Sequence, residues 1–110
     1  MTYQQSYIFI KIQNLSWEVF DMMYPYITLA DETEITHSHI IEENDVKKVE
    51  VHFERATEHG FDTARCILPS YTWTKIEGYT DEEIENFNEM LRHNAHLLYK
   101  YASIGGIQIA

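Results

Sequence analysis

The chain reads as an α+β fold, an antiparallel sheet of four or five strands packed on one long C-terminal helix, with a short helix after the first strand. Three observations predict it. Apolar and polar residues alternate in several short segments, the period of two that turns one side of a strand toward a core. Turn-forming residues separate these segments at hairpin lengths. After Thr80 the apolar residues change to a spacing of three and four and keep it until Gly105-Gly106.

From the N-terminus, Tyr7 to Gln13 sets Ile8, Ile10 and Ile12 against Tyr7, Phe9, Lys11 and Gln13, which predicts a strand. Asn14-Leu15-Ser16 then offers a cap before Trp17, Phe20, Met23 and Tyr24, whose spacing predicts a helix of about two turns ended by Pro25. The acidic cluster Asp31-Glu32-Thr33-Glu34 reads as a loop. Alternation resumes with Ile35, His37, His39 and Ile41 on one side and stops at Glu42-Glu43-Asn44-Asp45. Asn44 and Asp45 are turn formers, and Val49, Val51 and Phe53 follow against Lys48, Glu50, His52 and Glu54, so the two segments predict a hairpin. His59-Gly60 breaks the pattern, Phe61 to Leu68 makes another strand, and Pro69-Ser70 separates it from Tyr71 to Ile76. The middle of the chain is an antiparallel meander.

Thr80 followed by Glu83 is a capping-box pattern, and Asp81, Glu82 and Glu85 add negative charge where the helix dipole favours it. Ile84, Phe87, Leu91, Ala95, Leu98 and Ala102 supply the apolar stripe of a helix from Asp81 to about Ser103, roughly 33 Å long at 1.5 Å per residue.

At 110 residues, with 45% hydrophobic and 14% aromatic content, residues 1–110 fit one domain with one core, too apolar for disorder. No apolar run or signal-like start points to a membrane or to export, and a lone Cys66 allows no internal disulfide and no Cys-based zinc framework. A soluble cytoplasmic protein is expected.

Charge is the strongest functional signal. The net charge is -10, and fourteen of the eighteen acidic residues lie in two stretches without Lys or Arg. Ile12 to Val46 carries Glu18, Asp21, Asp31, Glu32, Glu34, Glu42, Glu43 and Asp45; Ile76 to Leu91 carries Glu77, Asp81, Glu82, Glu83, Glu85 and Glu89. Such a field repels free nucleic acid and anionic membrane and speeds encounter with basic protein surfaces. Eight tyrosines and two tryptophans suit an interface as well as a core.

Other chemistry is thinner. His37 and His39, two apart on a strand, or His93 and His96, three apart on the helix, could place two imidazoles on one metal with a carboxylate completing the site, but no His-Glu-x-x-His spacing is present. Cys66 shares a strand face with Asp62, Ala64 and Leu68 and reads as a packed apolar group rather than a nucleophile. There is no nucleophile elbow, phosphate-cradling loop or dinucleotide fingerprint, and no cofactor is expected.

The segments Gly60-Phe61-Asp62-Thr63-Ala64-Arg65-Cys66, Asn94-Ala95-His96-Leu97-Leu98 and Gly105-Gly106 resemble elements of short uncharacterised bacterial α+β proteins found around toxin-antitoxin and mobile-element loci. The resemblance covers the last half of the chain. The His-Pro-His-Phe-His-type segment of some of those proteins is absent, with Thr36-His37-Ser38-His39 an echo of it, so no functional residue carries over. In size and charge the chain also resembles phage-encoded inhibitors that imitate nucleic acid, including anti-CRISPR proteins.

The expected function is a non-enzymatic acidic binding module, an inhibitor or antitoxin whose carboxylates occupy the basic groove of a nucleic-acid-binding protein. Its contacts are expected at Asp31, Glu32, Glu34, Glu42, Glu43 and Asp45 and at Asp81, Glu82, Glu85 and Glu89. The alternatives are a small metal-dependent enzyme or toxin using His37 and His39 or His93 and His96, and a homodimer built through Ile107-Gln108-Ile109 or an uncovered strand edge.

Overall fold

A computed structural model describes residues 22–108. The expected strand from Tyr7 to Gln13, the expected start of the short helix and Ile109 lie outside the described residues. Within them the order is β1 (Tyr24–Thr28), β2 (Glu34–His37), β3 (Ile41–Glu43), β4 (Val46–Thr57), β5 (Gly60–Leu68), β6 (Thr72–Glu77) and one helix, α1 (Asp81–Ile104). The fold class is the expected α+β one, with an antiparallel sheet in the order β1-β2-β4-β5-β6 and β3 pairing β4 beside β2.

β4 is the spine. Its alternation puts Val49, Val51 and Phe53 on the helix side, all fully buried, and Ala64, Cys66 and Leu68 of β5 lie opposite Phe53, Val51 and Val49 on the same side. Onto this surface α1 lays Ile84, Phe87, Leu91, Leu98 and Ala102. Phe53 stacks on Phe87 with centroids 4.3 Å apart, and Trp73 of β6 closes that cluster while its indole N–H donates to Asn88 Oδ1. Burial of each large side chain here stabilises the fold by about 1.5–3 kcal/mol. The helix begins as the sequence predicts: the Thr80 hydroxyl accepts from the Glu83 N–H while the Glu83 carboxylate accepts from the Thr80 N–H. It ends at Gly105, left-handed at φ 82°.

Three expectations are corrected. The helical spacing ending at Tyr24 does not hold over the described residues: Tyr24 begins a strand, with Pro25 tolerated because β1 lies at the sheet edge among them. Tyr24 and Tyr26 then pack over His37, and Tyr26 donates to Asn94 of α1. Second, Ile35 to Ile41 is not one strand. Ser38 keeps one backbone bond to β4 and takes the other with its side chain: its N–H donates to Glu50 O at 2.9 Å, and its hydroxyl accepts from the Glu50 N–H at 2.9 Å and donates to His39 O at 2.7 Å. Pairing with β4 stops at His37 and restarts at Ile41. Third, this split and the new strand β1 bring the strand count to six among the described residues.

The β3–β4 hairpin turns where expected. Asn44 and Asp45 have φ of 53° and 66°, the pair of positive values that a two-residue type I′ turn demands.

Candidate functional site: the acidic end of the sheet

Because every pairing is antiparallel, the β1–β2 loop, the β4–β5 turn, the end of β6 and the start of α1 converge at one end of the sheet. Register makes this concrete, aligning Glu34 with Glu54, Glu54 with Thr63, and Thr63 with Glu77 in one row across four strands. Above that row stand Asp31 and Glu32, Glu58, Asp62, and Asp81, Glu82 and Glu83 of the helix start. The one Lys or Arg in these segments is Arg55.

Arg55 holds the end together. Its Nη1 donates to Asp31 Oδ2 at 2.8 Å and to Glu83 Oε2 at 2.9 Å; its Nε and Nη2 donate to Asp62 Oδ2 at 3.0 and 2.7 Å. One guanidinium thus ties the β1–β2 loop, strand β5 and the helix start to β4. Beneath it the Tyr79 ring lies 4.7 Å from the guanidinium carbon, meets Phe87 edge-on, and brings its hydroxyl within 3.3 Å of the Thr33 hydroxyl. Gly78, at φ 92°, is required: a Cβ there would overlap the Asp62 carboxylate. In the loop the Asp31 carboxylate accepts from the Thr33 N–H at 3.0 Å, an Asx turn that leaves Glu32 at φ 73° with its side chain in solvent.

The electrostatics follow from these contacts. The Thr33 N–H, with Arg55, holds the Asp31 carboxyl below its ordinary value, and Arg55 with the Thr80 N–H does the same for Glu83. Glu83 and Asp62 together raise Arg55. Burial raises Tyr79. At neutral pH Asp31 and Glu83 are carboxylates, Arg55 is a cation and Tyr79 is a neutral phenol, and the end is strongly negative.

The structure regroups the expected contact residues. Asp31, Glu32 and Glu34 stand at the same end as Asp81 and Glu82, so halves of the two acidic stretches meet. Glu85 and Glu89 are exposed along α1, and Glu89 pairs with Arg92. Glu42, Glu43 and Asp45 are exposed at the β3–β4 hairpin, nine residues up β4 from Arg55 and so about 30 Å away. There Lys48 binds Glu43 at 2.8 Å and holds its carboxyl below the ordinary value. The sequence reading missed Arg55, Asp62 and Tyr79. Arg55 and Asp62 were readable: a turn at Glu58-His59 makes them cross-strand partners.

The histidines do not assemble. His37 is fully buried between tyrosines and its Nδ1 lies 2.8 Å from Ser38 O, whereas His39 follows the strand break and is half-buried. His93 and His96 are exposed on α1. Among the described residues no three His, Cys, Asp or Glu side chains are grouped to hold a metal ion. Cys66 is fully buried, and burial pushes its thiol up to about 12. No helix among the described residues is long and apolar enough to cross a membrane. Ile107 is exposed and Gln108 turns back to donate to Ile104 O and Gly106 O, so these two residues do not continue as a strand.

The face of the sheet away from α1 carries a second polar array. His52 of β4 lies opposite Arg65 of β5, which lies opposite Lys75 of β6. Glu50 Oε2 stands 3.4 Å from His52 Nε2, a contact that holds the Glu50 carboxyl below its ordinary value.

Comparison with protein-family models, with curated proteins and with solved structures finds no match to this chain.

Proposed function

We propose that the chain is a non-enzymatic acidic binding module, an inhibitor of the antitoxin or anti-CRISPR kind, that blocks the basic groove of a nucleic-acid-binding protein. The observation that carries the reading is the acidic end: three loops and a helix start converge there with Arg55 as their one Lys or Arg. Because Arg55 is engaged internally, the outward carboxylates Glu32, Glu34, Asp81 and Glu82 face solvent without a cation bound to them in the described residues. They stand where phosphates sit in the partner's groove, and the counterions shed on association favour the complex. The Arg55 node holds their supporting loops in place before binding, which lowers the ordering cost. Glu42, Glu43 and Asp45, at the far hairpin, form a separate and weaker contact.

The test begins with a pull-down of the tagged protein from host lysate, eluted with stepped salt and read by mass spectrometry. The partner so identified is then titrated with two charge-reversed variants, E32K/E34K/E82K at the acidic end and E42K/E43K/D45K at the hairpin. The first is expected to lower affinity at least tenfold and to flatten its salt dependence; the second acts less. Equal affinity for the wild type and the end-reversed variant, or binding indifferent to salt, would sink the proposal.

A further inference from the structure

Among the described residues His37 occupies a box with no acceptor for a second ring proton. It is fully buried, opposite Tyr24 of β1 on one side and Val51 of β4 on the other. Its Nδ1 lies 2.8 Å from Ser38 O, and a carbonyl only accepts, so Nδ1 carries the hydrogen and Nε2 presents a bare lone pair. Nε2 is buried and has no hydrogen-bond partner among the described residues.

The groups that face the ring are neutral on every side described. From β1 come Tyr24, with ring centroids 5.7 Å apart, and Tyr26, edge-on at 6.3 Å. From α1, Tyr101 and Asn94 meet Tyr26 rather than His37, and Lys100 lies 5.8 Å from the Tyr101 ring. Tyr24 in turn packs on Gly106, where an added Cβ would come within 3.1 Å of it. No carboxylate among the described residues is placed to accept from a protonated Nε2. Burial accordingly holds the imidazole below its ordinary value, opposed only by the Ser38 carbonyl.

We propose that β1 is a clasp released by acid: when His37 takes up its second proton, Tyr24–Thr28 leaves β2 and α1 while the inner strands stay paired. A buried imidazolium with an unmet N–H is costly, and the relief that disturbs least is to open the wall that is most weakly held. That wall is β1. It has a strand neighbour on one side only among the described residues, Pro25 donates nothing, and its register slips between Pro25 and Ile27. The opposite wall, β4, is paired along both edges. For a single proton, the open fraction grows about tenfold per pH unit below the ordinary histidine value until the lowered value is reached.

The test is amide hydrogen exchange on the full chain at about pH 7.5 and about pH 4.5, corrected for intrinsic rates, with β4 as the internal reference. Protection of Tyr26 and Thr28 relative to Val51 and Phe53 is expected to fall at least about tenfold in the wild type. In His37→Asn, which keeps a side-chain amide toward Ser38 O and cannot titrate, the ratio is expected to hold within about twofold. An unchanged ratio in the wild type, or the same fall in the variant, overturns the proposal. Should the variant not fold, the wild type decides by NMR: coincident midpoints for the His37 ring and the β1 amide shifts support the clasp, and a ring that titrates over unmoved β1 shifts overturns it.

Discussion

Replacing Arg55 with Met tests the electrostatic node that shapes the acidic end. Methionine keeps an apolar stem over Tyr79 and removes the charge. Asp62 and Glu83, with side chains 17% and 30% exposed against 21% for Arg55, are shielded enough for each of these two partners to contribute about 1 kcal/mol after solvent screening. Asp31, at 48%, adds only a few tenths. The guanidinium over Tyr79 adds about 0.5–1 kcal/mol. The expected loss is about 3 kcal/mol, or about 10–20 °C in Tm for a domain of this size. Urea melts at neutral pH with an unchanged m-value measure it. The pH dependence supplies a second reading. Asp31 and Glu83 have folded values below their ordinary ones, so their contribution is complete above the ordinary carboxylate range and fades as pH falls through the lowered values. The gap between wild type and Arg55→Met is therefore expected to narrow below about pH 4. A variant within about 0.5 kcal/mol of wild type, or a gap that ignores acid, would refute the node as a stabilising unit.

Three further outcomes are expected. Cys66, buried with its thiol pushed up to about 12, reacts with a disulfide reagent at pH 8 at least about a hundredfold more slowly in the native protein than in urea; comparable rates would place it at the surface. Thr80→Ala removes the hydroxyl that accepts from the Glu83 N–H, leaves the Thr80 N–H to the Glu83 carboxylate, and costs about 1 kcal/mol in urea melts, whereas a change of only a tenth or two would show that the hydroxyl half of the cap is redundant. Asp45→Gly relieves a positive φ in the β3–β4 turn and stabilises by about 0.5 kcal/mol; destabilisation would contradict the type I′ geometry.

What could be read from the sequence was whatever local periodicity encodes. The helix, its capping box and Gly105 stop, the turn at Asn44-Asp45 and the buried faces of β4 and β5 all follow from spacing alone, because each is set by neighbours within a few residues. The break at Ser38 was not legible, because the alternation of Ile35, His37, His39 and Ile41 runs straight through it. Only the bonds between Ser38 and Glu50, twelve residues away, divide the strand. Tyr24 was misread for a similar reason. Its spacing to Phe20 is helical, yet its place is decided by His37 and Gly106, which no local window contains. For the site, the acidic character was legible and its grouping was not. Glu42 and Glu34 are close in sequence and lie toward opposite ends of β4, while Asp31 and Glu83 are far apart in sequence and share one guanidinium.

The acidic end is assembled from turns, and turns carry no part of the sheet's register. Residues such as Glu32, Glu58 and Glu82 are free to drift, so the surface can be rewritten a loop at a time while the framework beneath it stays as it is. Asp31, Asp62 and Glu83 lack that freedom, since each loss would leave Arg55 short of a counter-charge. Among descendants of this chain the outward carboxylates should therefore diversify quickly around an inner quartet that evolves slowly.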